Sequence, residues 1–249
     1  MNPLNQWRKR LGQSYWVWQL YHFLVADAVS LQRPTKFRGV REYLGTDLGR
    51  TADVGCGPGV FLRHLCARAT CVFAVDVDGQ SLERVKARHR DLHNLRFVVS
   101  LVNHLPFLDN ALDTVLFLEV LEHLTDDAGG LREIHRVLAP GGKLVLSVPI
   151  PPGEIDKDDP WGHKREGYKP AQLKELLESQ NFEVQKHFFA QFKFSRLAEN
   201  LIRYWRRWLK LPAPIFLSWV CYLDFLLSVE ARKTGECLPA CIVVAARKV

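Results

Sequence analysis

From residue 50 onward, the sequence alternates between short apolar segments and longer amphipathic ones, and this alternation restricts the fold more than any other feature. Seven segments have the length and apolar content of strands, namely RTADVGC (50–56), CVFAVDV (71–77), LRFVVSLV (95–102), LDTVLFL (112–118), KLVLSVPI (143–150), FEVQKHFFAQF (182–192) and ACIVVAARKV (240–249). Helical patterns lie between them, at 59–68, 81–90, 120–124, 131–138 and 170–180. The sequence therefore predicts an α/β fold with a mainly parallel, doubly wound sheet. Right-handed crossovers place the carboxyl ends of its strands on one edge, where ligands bind.

Two segments lie outside this alternation. Residues 1–47 have mostly helical patterns and are predicted to form an N-terminal helical cap on a main domain that spans 48–249. Residues 193–236 interrupt the alternation before the last strand, and an insertion of this size predicts a helical lid or a membrane-interface element. The six cysteines form no CxxC pair, which favours reduced thiols in a cytoplasmic protein.

The positive charge of the chain is concentrated in two regions. The net charge is +7, and residues 1–50 and 193–233 each carry eight Lys or Arg against three Asp or Glu. This distribution indicates an anionic partner surface. Within 198–210, Trp and Leu fall on one helical face and Arg and Lys on the other, which is typical of a helix in a membrane interface. We therefore expect peripheral membrane contact through 198–229. The alternatives are a cover over a ligand pocket and, disfavoured by the high apolar content, a nucleic-acid surface for RNA.

The first predicted strand ends in a glycine-rich loop within TADVGCGPGV. Gly55, Gly57 and Gly59 follow Asp53 at every second position. Glycine allows positive φ and lets a ligand lie against bare backbone. Asp76 ends the next predicted strand, roughly twenty residues after Asp53, where a carboxylate suits hydrogen bonds to ribose hydroxyls. The strand–loop–helix context predicts a nucleoside ligand, and the GxGxG spacing differs from the GxGxxG of dinucleotide-binding domains.

Four motifs together resemble those of the class I S-adenosylmethionine-dependent methyltransferases, in particular the small-molecule and ubiquinone-pathway types. They are DVGCGPG, VFAVDVD, HLPFLDNALDTVLFLEVLEHL and VLAPGGKLVLSVP, and the resemblance covers roughly residues 36–190 and the last strand. It implies a Rossmann-like, seven-stranded, mostly parallel sheet with an antiparallel last strand, and S-adenosylmethionine as the cofactor. The alternative is a dinucleotide-binding or vestigial Rossmann domain.

The resemblance also implies where the cofactor lies. The three glycines would wrap its methionine portion, with Asp53 near the amino group and Asp76 on the ribose. The family usually has an acidic residue before LPF that touches the adenine amine, whereas this chain has Leu101-Val102-Asn103. Adenine recognition is therefore predicted to rest on backbone groups or on Asn103. The complete set of predicted cofactor residues is Asp53, Gly55, Cys56, Gly57, Gly59, Asp76, Val77, Asn103 and Glu119.

Polar residues follow the fourth predicted strand, where the donated methyl group would lie. If this turn is helical, Glu119, Glu122 and His123 share one face, and a later loop carries His163. The set resembles the metal ligands of RNA 3′-end 2′-O-methyltransferases, and E-x-x-E-H alone resembles ubiquinone-pathway O-methyltransferases. The resemblance implies a bound Mg²⁺ or Mn²⁺ that lowers the pKa of an acceptor hydroxyl. The alternative is a site without metal, in which these side chains orient loops or His123 is a general base.

These features lead to one expected activity and two rivals. We expect O-methylation of an apolar or lipid-linked small molecule at the cytoplasmic face of a membrane. The predicted catalytic residues are His123, Glu122 and His163, and Trp161 and Tyr168 are candidate substrate contacts. The rivals are a metal-dependent RNA 2′-O-methyltransferase, whose binding would be salt-sensitive, and a scaffold that binds S-adenosylmethionine without turnover.

Overall fold

The computed structural model describes residues 39–151, 164–190 and 241–249. Residues 39–44 are helical. No helix within the described ranges is long and apolar enough to cross a membrane.

Several predictions fall outside the described residues. They concern the cap before residue 39, the insertion at 193–236 with its predicted membrane-interface helix, and the loop that carries Trp161 and His163. These stay predictions.

Seven strands and four α-helices follow the helix at 39–44 in the described part of the chain. The first half contains β1 (Gly49–Val54), α1 (Leu62–Cys66), β2 (Ala69–Asp76), α2 (Gly79–Arg88) and β3 (Leu95–Val99). The second half contains β4 (Leu112–Leu118), α3 (Asp127–Val137), β5 (Leu138–Pro149), α4 (Pro170–Ser179), β6 (Phe182–Ala190) and β7 (Cys241–Lys248). A 3₁₀ turn at Leu121–His123 lies between β4 and α3.

The strands form one sheet in the order β3-β2-β1-β4-β5-β7-β6. The pairs β1–β2, β1–β4, β2–β3 and β4–β5 are parallel, and β7 runs antiparallel to β5. The predicted doubly wound sheet with an antiparallel last strand is therefore confirmed. The strand order reverses between β1 and β4, and in sheets of this kind ligands bind outside the carboxyl ends of the strands at that point.

The core lies between the sheet and the amphipathic helices on it. β4 is buried along most of its length, including Phe117, as expected of a central strand covered on both faces. Leu131 and Ile134 of α3, and Leu173 and Leu177 of α4, are fully buried at helical spacing. Each such side chain contributes about 1.5–3 kcal/mol by leaving water, so the central strands are a rigid base for the loops at their ends.

Helix α3 begins earlier than the sequence predicts, because local capping outweighs the glycine pair that precedes Leu131. The Asp126 side chain accepts a hydrogen bond from the amide of Gly129 at 2.7 Å and so caps the first turn. A Cβ on Gly130 would lie 2.5 Å from Leu124 Cδ1. A glycine here therefore allows α3 to pack closely against the turn after β4.

Candidate active site

The glycine loop after β1 is shaped by three residues with positive φ. Gly55, Gly57 and Gly59 have φ values of 74°, 49° and 74°. A Cβ on Gly55 would lie 2.3 Å from Val120 Cγ2, and one on Gly59 would lie 2.6 Å from Val85 Cγ1. A Cβ on Gly57 would meet nothing within 4 Å. Two of the glycines therefore serve packing, whereas Gly57 exposes bare backbone to open space that a ligand could fill.

The Asp76 carboxylate, at the end of β2, is oriented by two backbone amides. Its Oδ2 accepts from the amide of Gly57 at 2.8 Å, and its Oδ1 accepts from the amide of Asp78 at 3.0 Å. Each carboxylate oxygen can accept a second hydrogen bond. Asp76 thus anchors the loop and keeps the capacity to accept from the two hydroxyls of a ribose.

Asp53 lies beneath this loop and is almost completely buried, at 4% exposure. Burial, and secondarily the charge of Asp76, raise the pKa of Asp53 to about 7. Burial and the same two carboxylates also raise the pKa of the Cys56 thiol above its ordinary value, so this cysteine is a neutral packing residue of the loop. A cation beside Asp53 would favour its ionised form, which suits the predicted place of an amino group.

Three large apolar side chains are exposed near the carboxyl ends of β2 and β3. Val77 and Val99 are each 64% exposed and Leu101 is 60% exposed. Such a surface fits a flat apolar ring. Sequence reasoning selected Val77 but assigned no cofactor contact to Val99, the last residue of β3, or to Leu101, although apolar residues at the strand ends were the available signal.

Asn103 is half-buried on the loop after β3. Its Oδ1 lies 3.6 Å from the position that a Cβ on Gly130 would occupy, so the side chain approaches the first turn of α3. Its predicted contact with adenine stays a prediction. We refer to residues 53–59 and 76–77 as the cofactor side of the site.

The acceptor side, residues 119–123, follows β4 on the other side of the switch point. Glu119 has a φ of 54°, a conformation that costs a non-glycine residue energy and that clusters at functional sites. Its Oε1 accepts from Ser147 Oγ at 2.8 Å and from Cys241 Sγ at 3.6 Å. Ser147, near the end of β5, and Cys241, the first residue of β7, thus hold this exposed carboxylate at the sheet edge, and sequence reasoning assigned a role to neither.

The turn after β4 is helical only over Leu121–His123, and there it is 3₁₀. Glu119 precedes it in a left-handed conformation, so the condition for one shared α-helical face is not met. Glu122 is fully buried, whereas His123 is half-buried. The described residues contain no group of three or more His, Cys, Asp or Glu that could hold a metal ion. Because His163 lies outside them, the four-residue metal site remains a prediction.

Tyr168 has a different role from the predicted substrate contact. It is 5% exposed and belongs to the hydrophobic core. Its hydroxyl donates to Asp127 Oδ2 at 2.8 Å, and the hydroxyl oxygen lies 3.4 Å from the carbonyl oxygen of Leu121. Burial and the Asp127 carboxylate raise the pKa of Tyr168 above its ordinary value. Its place in a loop expected near the acceptor made it a candidate substrate contact, but the ring fills the core.

The fold and this site define a class: a doubly wound α/β domain that binds a nucleoside-containing ligand at the β1/β4 switch point. Residues 52–146 match the family model of a methyltransferase domain. This match, together with the S-adenosylmethionine-dependent methyltransferases among the similar proteins below, supports a methyltransferase of the class that the sequence motifs resemble. The open space at Gly57, the anchored carboxylate of Asp76 and the apolar surface around Val77 fit the methionine, ribose and adenine parts of that family's cofactor.

Similar proteins support this assignment. A probable S-adenosylmethionine-dependent methyltransferase of Mycolicibacterium smegmatis is 34% identical over 139 residues, which are 53% of this chain and 51% of the relative. The chain thus spans about half the length of that relative. The chloroplastic tocopherol O-methyltransferase of Arabidopsis thaliana is 32% identical over 125 residues, 47% of this chain and 35% of that protein. The crystal structure of the [4+2]-cyclase SpnF has a TM-score of 0.60 at 26% identity, covering 87% of this chain and 80% of that one.

Proposed function

We propose that this protein transfers the methyl group of S-adenosylmethionine to a hydroxyl of an apolar or lipid-linked small molecule. The observation that carries the proposal is the pairing of two sides across one switch point. The glycine loop and Asp76 lie at the ends of β1 and β2. After β4 lie the carboxylate of Glu119, whose backbone has a positive φ, and the half-buried imidazole of His123. The likeness to a tocopherol O-methyltransferase supports an apolar phenolic acceptor.

The cofactor side would bind and orient S-adenosylmethionine. Gly57 would present its backbone to the methionine portion, Asp76 would accept from the ribose hydroxyls, and Val77 would pack against adenine. When bound, the cofactor supplies a methyl group already activated on a sulfonium. The protein therefore has mainly to align and desolvate the acceptor.

The acceptor side would remove the proton of the acceptor hydroxyl. An imidazole is the commonest general base in proteins, and we assign this part to His123. Glu122 is buried next to it in the same 3₁₀ turn and would position it. Glu119, held by Ser147 and Cys241, presents a carboxylate that can accept a hydrogen bond from the acceptor. A divalent metal bound with His163 would be an additional aid and is tested below.

Calorimetry with S-adenosylmethionine and its demethylated product tests cofactor binding. We expect micromolar affinity, and the titration is repeated with Mg²⁺ and with Mn²⁺. A metal-dependent gain would favour the metal site that includes His163, whereas indifference to metal would leave His123 as the base. Absence of any binding would contradict the proposal and favour a domain that has lost its cofactor.

Turnover is then measured with a short-chain prenylated hydroquinone in detergent, by release of the demethylated cofactor. A matched hydroquinone with both hydroxyls blocked is the control. Methylation of the first compound alone supports the proposal. Salt-sensitive methylation of RNA instead would support the rival RNA activity.

Membrane contact through 198–229 is a separate proposal that rests on the Trp and Leu face opposite Arg206 and Arg207. Sedimentation with anionic liposomes measures it. We expect the double variant Arg206→Glu/Arg207→Glu to lose binding, because charge reversal removes the attraction to anionic lipid. Unchanged sedimentation of this variant would contradict the interfacial helix.

A further inference from the structure

The segment 164–168, which returns from the loop after β5, covers the 3₁₀ turn of the acceptor side. The Arg165 guanidinium donates to the carbonyls of Leu124 at 3.1 Å and Thr125 at 3.4 Å. These donors are 41 and 40 residues away from their acceptors in sequence. Carbonyl groups between a strand and a helix need hydrogen-bond donors from outside regular secondary structure. Arg165 is the donor for two such carbonyls, those of Leu124 and Thr125.

The backbone of the same segment binds the turn directly. The amide of Lys164 donates to the carbonyl of Glu122 at 2.9 Å. The amide of Tyr168 donates to the carbonyl of Pro149, at the end of β5, also at 2.9 Å. Between them, Gly167 has a φ of 129°, and a Cβ there would lie 2.1 Å from the Pro149 oxygen. The segment is therefore fixed between β5 and the turn.

Asp127, the first residue of α3, joins the side chains of this network. Its Oδ2 forms an ion pair with Arg165 and accepts from the hydroxyl of Tyr168. The Arg165 guanidinium carbon lies 5.5 Å from the centroid of the Tyr168 ring. The Arg165 and Asp127 side chains are only 32% and 17% exposed. Such partly desolvated, cooperative contacts are stronger than a pair in open solvent.

We propose that Arg165 is the positioning residue of the acceptor side: it holds the turn that carries His123 against segment 164–168. Its hydrogen bonds go to Asp127, Leu124 and Thr125, which lie outside the glycine loop, so it should affect the acceptor reaction and leave cofactor binding intact. The inference rests on the proposed function, because that function gives His123 its part in the reaction. The planar guanidinium reaches two carbonyls and a carboxylate at once, which the point charge of a lysine cannot do.

The test compares Arg165→Ala and Arg165→Lys with Arg63→Ala. Arg63 forms a bidentate ion pair with Asp91, with N–O distances of 2.6 and 3.2 Å, and both side chains are more than half exposed. It therefore controls for the loss of an arginine–aspartate pair remote from the acceptor side. Three quantities are measured: amide hydrogen exchange at 119–125 and 55–59, the Kd for S-adenosylmethionine, and kcat with the prenylated hydroquinone.

For Arg165→Ala we expect faster exchange at 119–125, unchanged exchange at 55–59, and a Kd within about twofold of wild type. We expect kcat to fall about 100-fold, because small displacements of a reacting group cost about that much. Millimolar guanidinium should restore part of kcat in Arg165→Ala, which a general folding defect would not show. Arg165→Lys should fall between, and Arg63→Ala should match wild type.

Unchanged exchange at 119–125 overturns the proposal, and so does a kcat within about twofold of wild type when exchange has increased. Joint loss of cofactor binding and turnover also overturns it, because the effect would then not be confined to the acceptor side. If Arg165→Ala does not fold, the same criteria apply to Arg165→Lys. If the wild type does not methylate the hydroquinone, the proposed function has failed, and the exchange data alone decide whether Arg165 holds the turn.

Discussion

On the cofactor side, the contact that shapes the glycine loop joins Gly57 to Asp76, which are 19 residues apart. On the acceptor side, the contacts that hold Glu119 reach Ser147, 28 residues away, and Cys241, 122 residues away. The contact by which Arg165 holds the neighbouring turn reaches the carbonyl of Leu124, 41 residues away. The cofactor side is therefore built from two adjacent strands, and the acceptor side from distant parts of the chain.

The difference between the two sides explains how one fold can serve several reactions. A loop and two neighbouring strands form a compact local unit, which can be kept while the segments around it change. The acceptor side depends on several connections, so each changed connection can alter what is bound there. The structural likeness to a protein described as a [4+2]-cyclase agrees with this view. The five predictions that follow test whether the two sides can be disabled separately and whether Asp53 has the place assigned to it.

The largest expected effect is on turnover. We expect His123→Ala to lower kcat about 100- to 10,000-fold, the usual contribution of a general acid or base. The Kd for S-adenosylmethionine should stay near the wild-type value, because His123 belongs to the acceptor side. His93→Ala is the control, since it removes a histidine from the loop before β3. A variant that loses cofactor affinity or stability together with kcat would contradict the separation.

Asp76→Ala should act on the other side. It removes a carboxylate that anchors the Gly57 amide and would bind ribose. Hydrogen bonds to charged groups contribute about 1.5–3 kcal/mol each, so we expect the Kd for S-adenosylmethionine to rise about 10- to 100-fold. Calorimetry measures this, with the exposed Asp91→Ala as control. Unchanged affinity in Asp76→Ala would remove the ribose assignment.

Two alanine variants sharpen the comparison within the loop itself. Gly55→Ala should destabilise the fold by several kcal/mol, because positive φ costs about 1–2 kcal/mol and the new methyl would lie 2.3 Å from Val120. Gly57→Ala meets no protein atom within 4 Å, so it should cost only the backbone term. It should nevertheless weaken cofactor binding, since the methyl enters the ligand space. Thermal unfolding measures the stability of both variants, and calorimetry measures their affinity for S-adenosylmethionine. A larger stability loss in Gly57→Ala than in Gly55→Ala, with cofactor binding unchanged in Gly57→Ala, would contradict our assignment.

The smallest expected effect is a pH dependence of cofactor binding. Below pH about 7, folded Asp53 keeps its proton, and a cationic ligand favours the ionised form. Affinity for S-adenosylmethionine should therefore rise from pH 5 toward pH 8, by at most about tenfold per pH unit. Calorimetry in buffers of different ionisation enthalpy should show proton release on binding. A flat profile in the wild type would contradict the place of Asp53 beside the amino group.

The same residue makes a stability prediction with a defined sign. Between pH about 4 and 7 the folded chain binds a proton on Asp53 that the unfolded chain has released. The stability that this group contributes therefore falls as pH rises through that window. Asp53→Asn cannot ionise, so its stability relative to the wild type should increase from pH 5 to pH 8. Chemical denaturation at pH 5 and pH 8 measures the free energy of unfolding of both proteins. The same difference between variant and wild type at both pH values would contradict the assignment.

Particular residues show how far sequence reasoning reached. It found all seven strands and the glycine loop with Asp53 and Asp76, because strand–helix alternation and turn chemistry act between near neighbours. It started α3 after Gly129 and Gly130, because the cap by Asp126 and the packing on Leu124 were not visible as a hydrophobic pattern. It named Tyr168 as a candidate substrate contact, although that ring lies in the core and its hydroxyl bonds to the distant Asp127.

The order of strands and helices, the glycine loop and the acid at the end of β2 follow from residue types at short spacing, so they could be predicted from the sequence. Only the tertiary structure decided how the turn after β4 is held. Glu119 meets Ser147 and Cys241, and Arg165 meets Asp127, because packing of the central strands and α3 brings distant segments to one edge. Contacts of that kind depend on the whole arrangement of the sheet, which no short stretch of residues encodes.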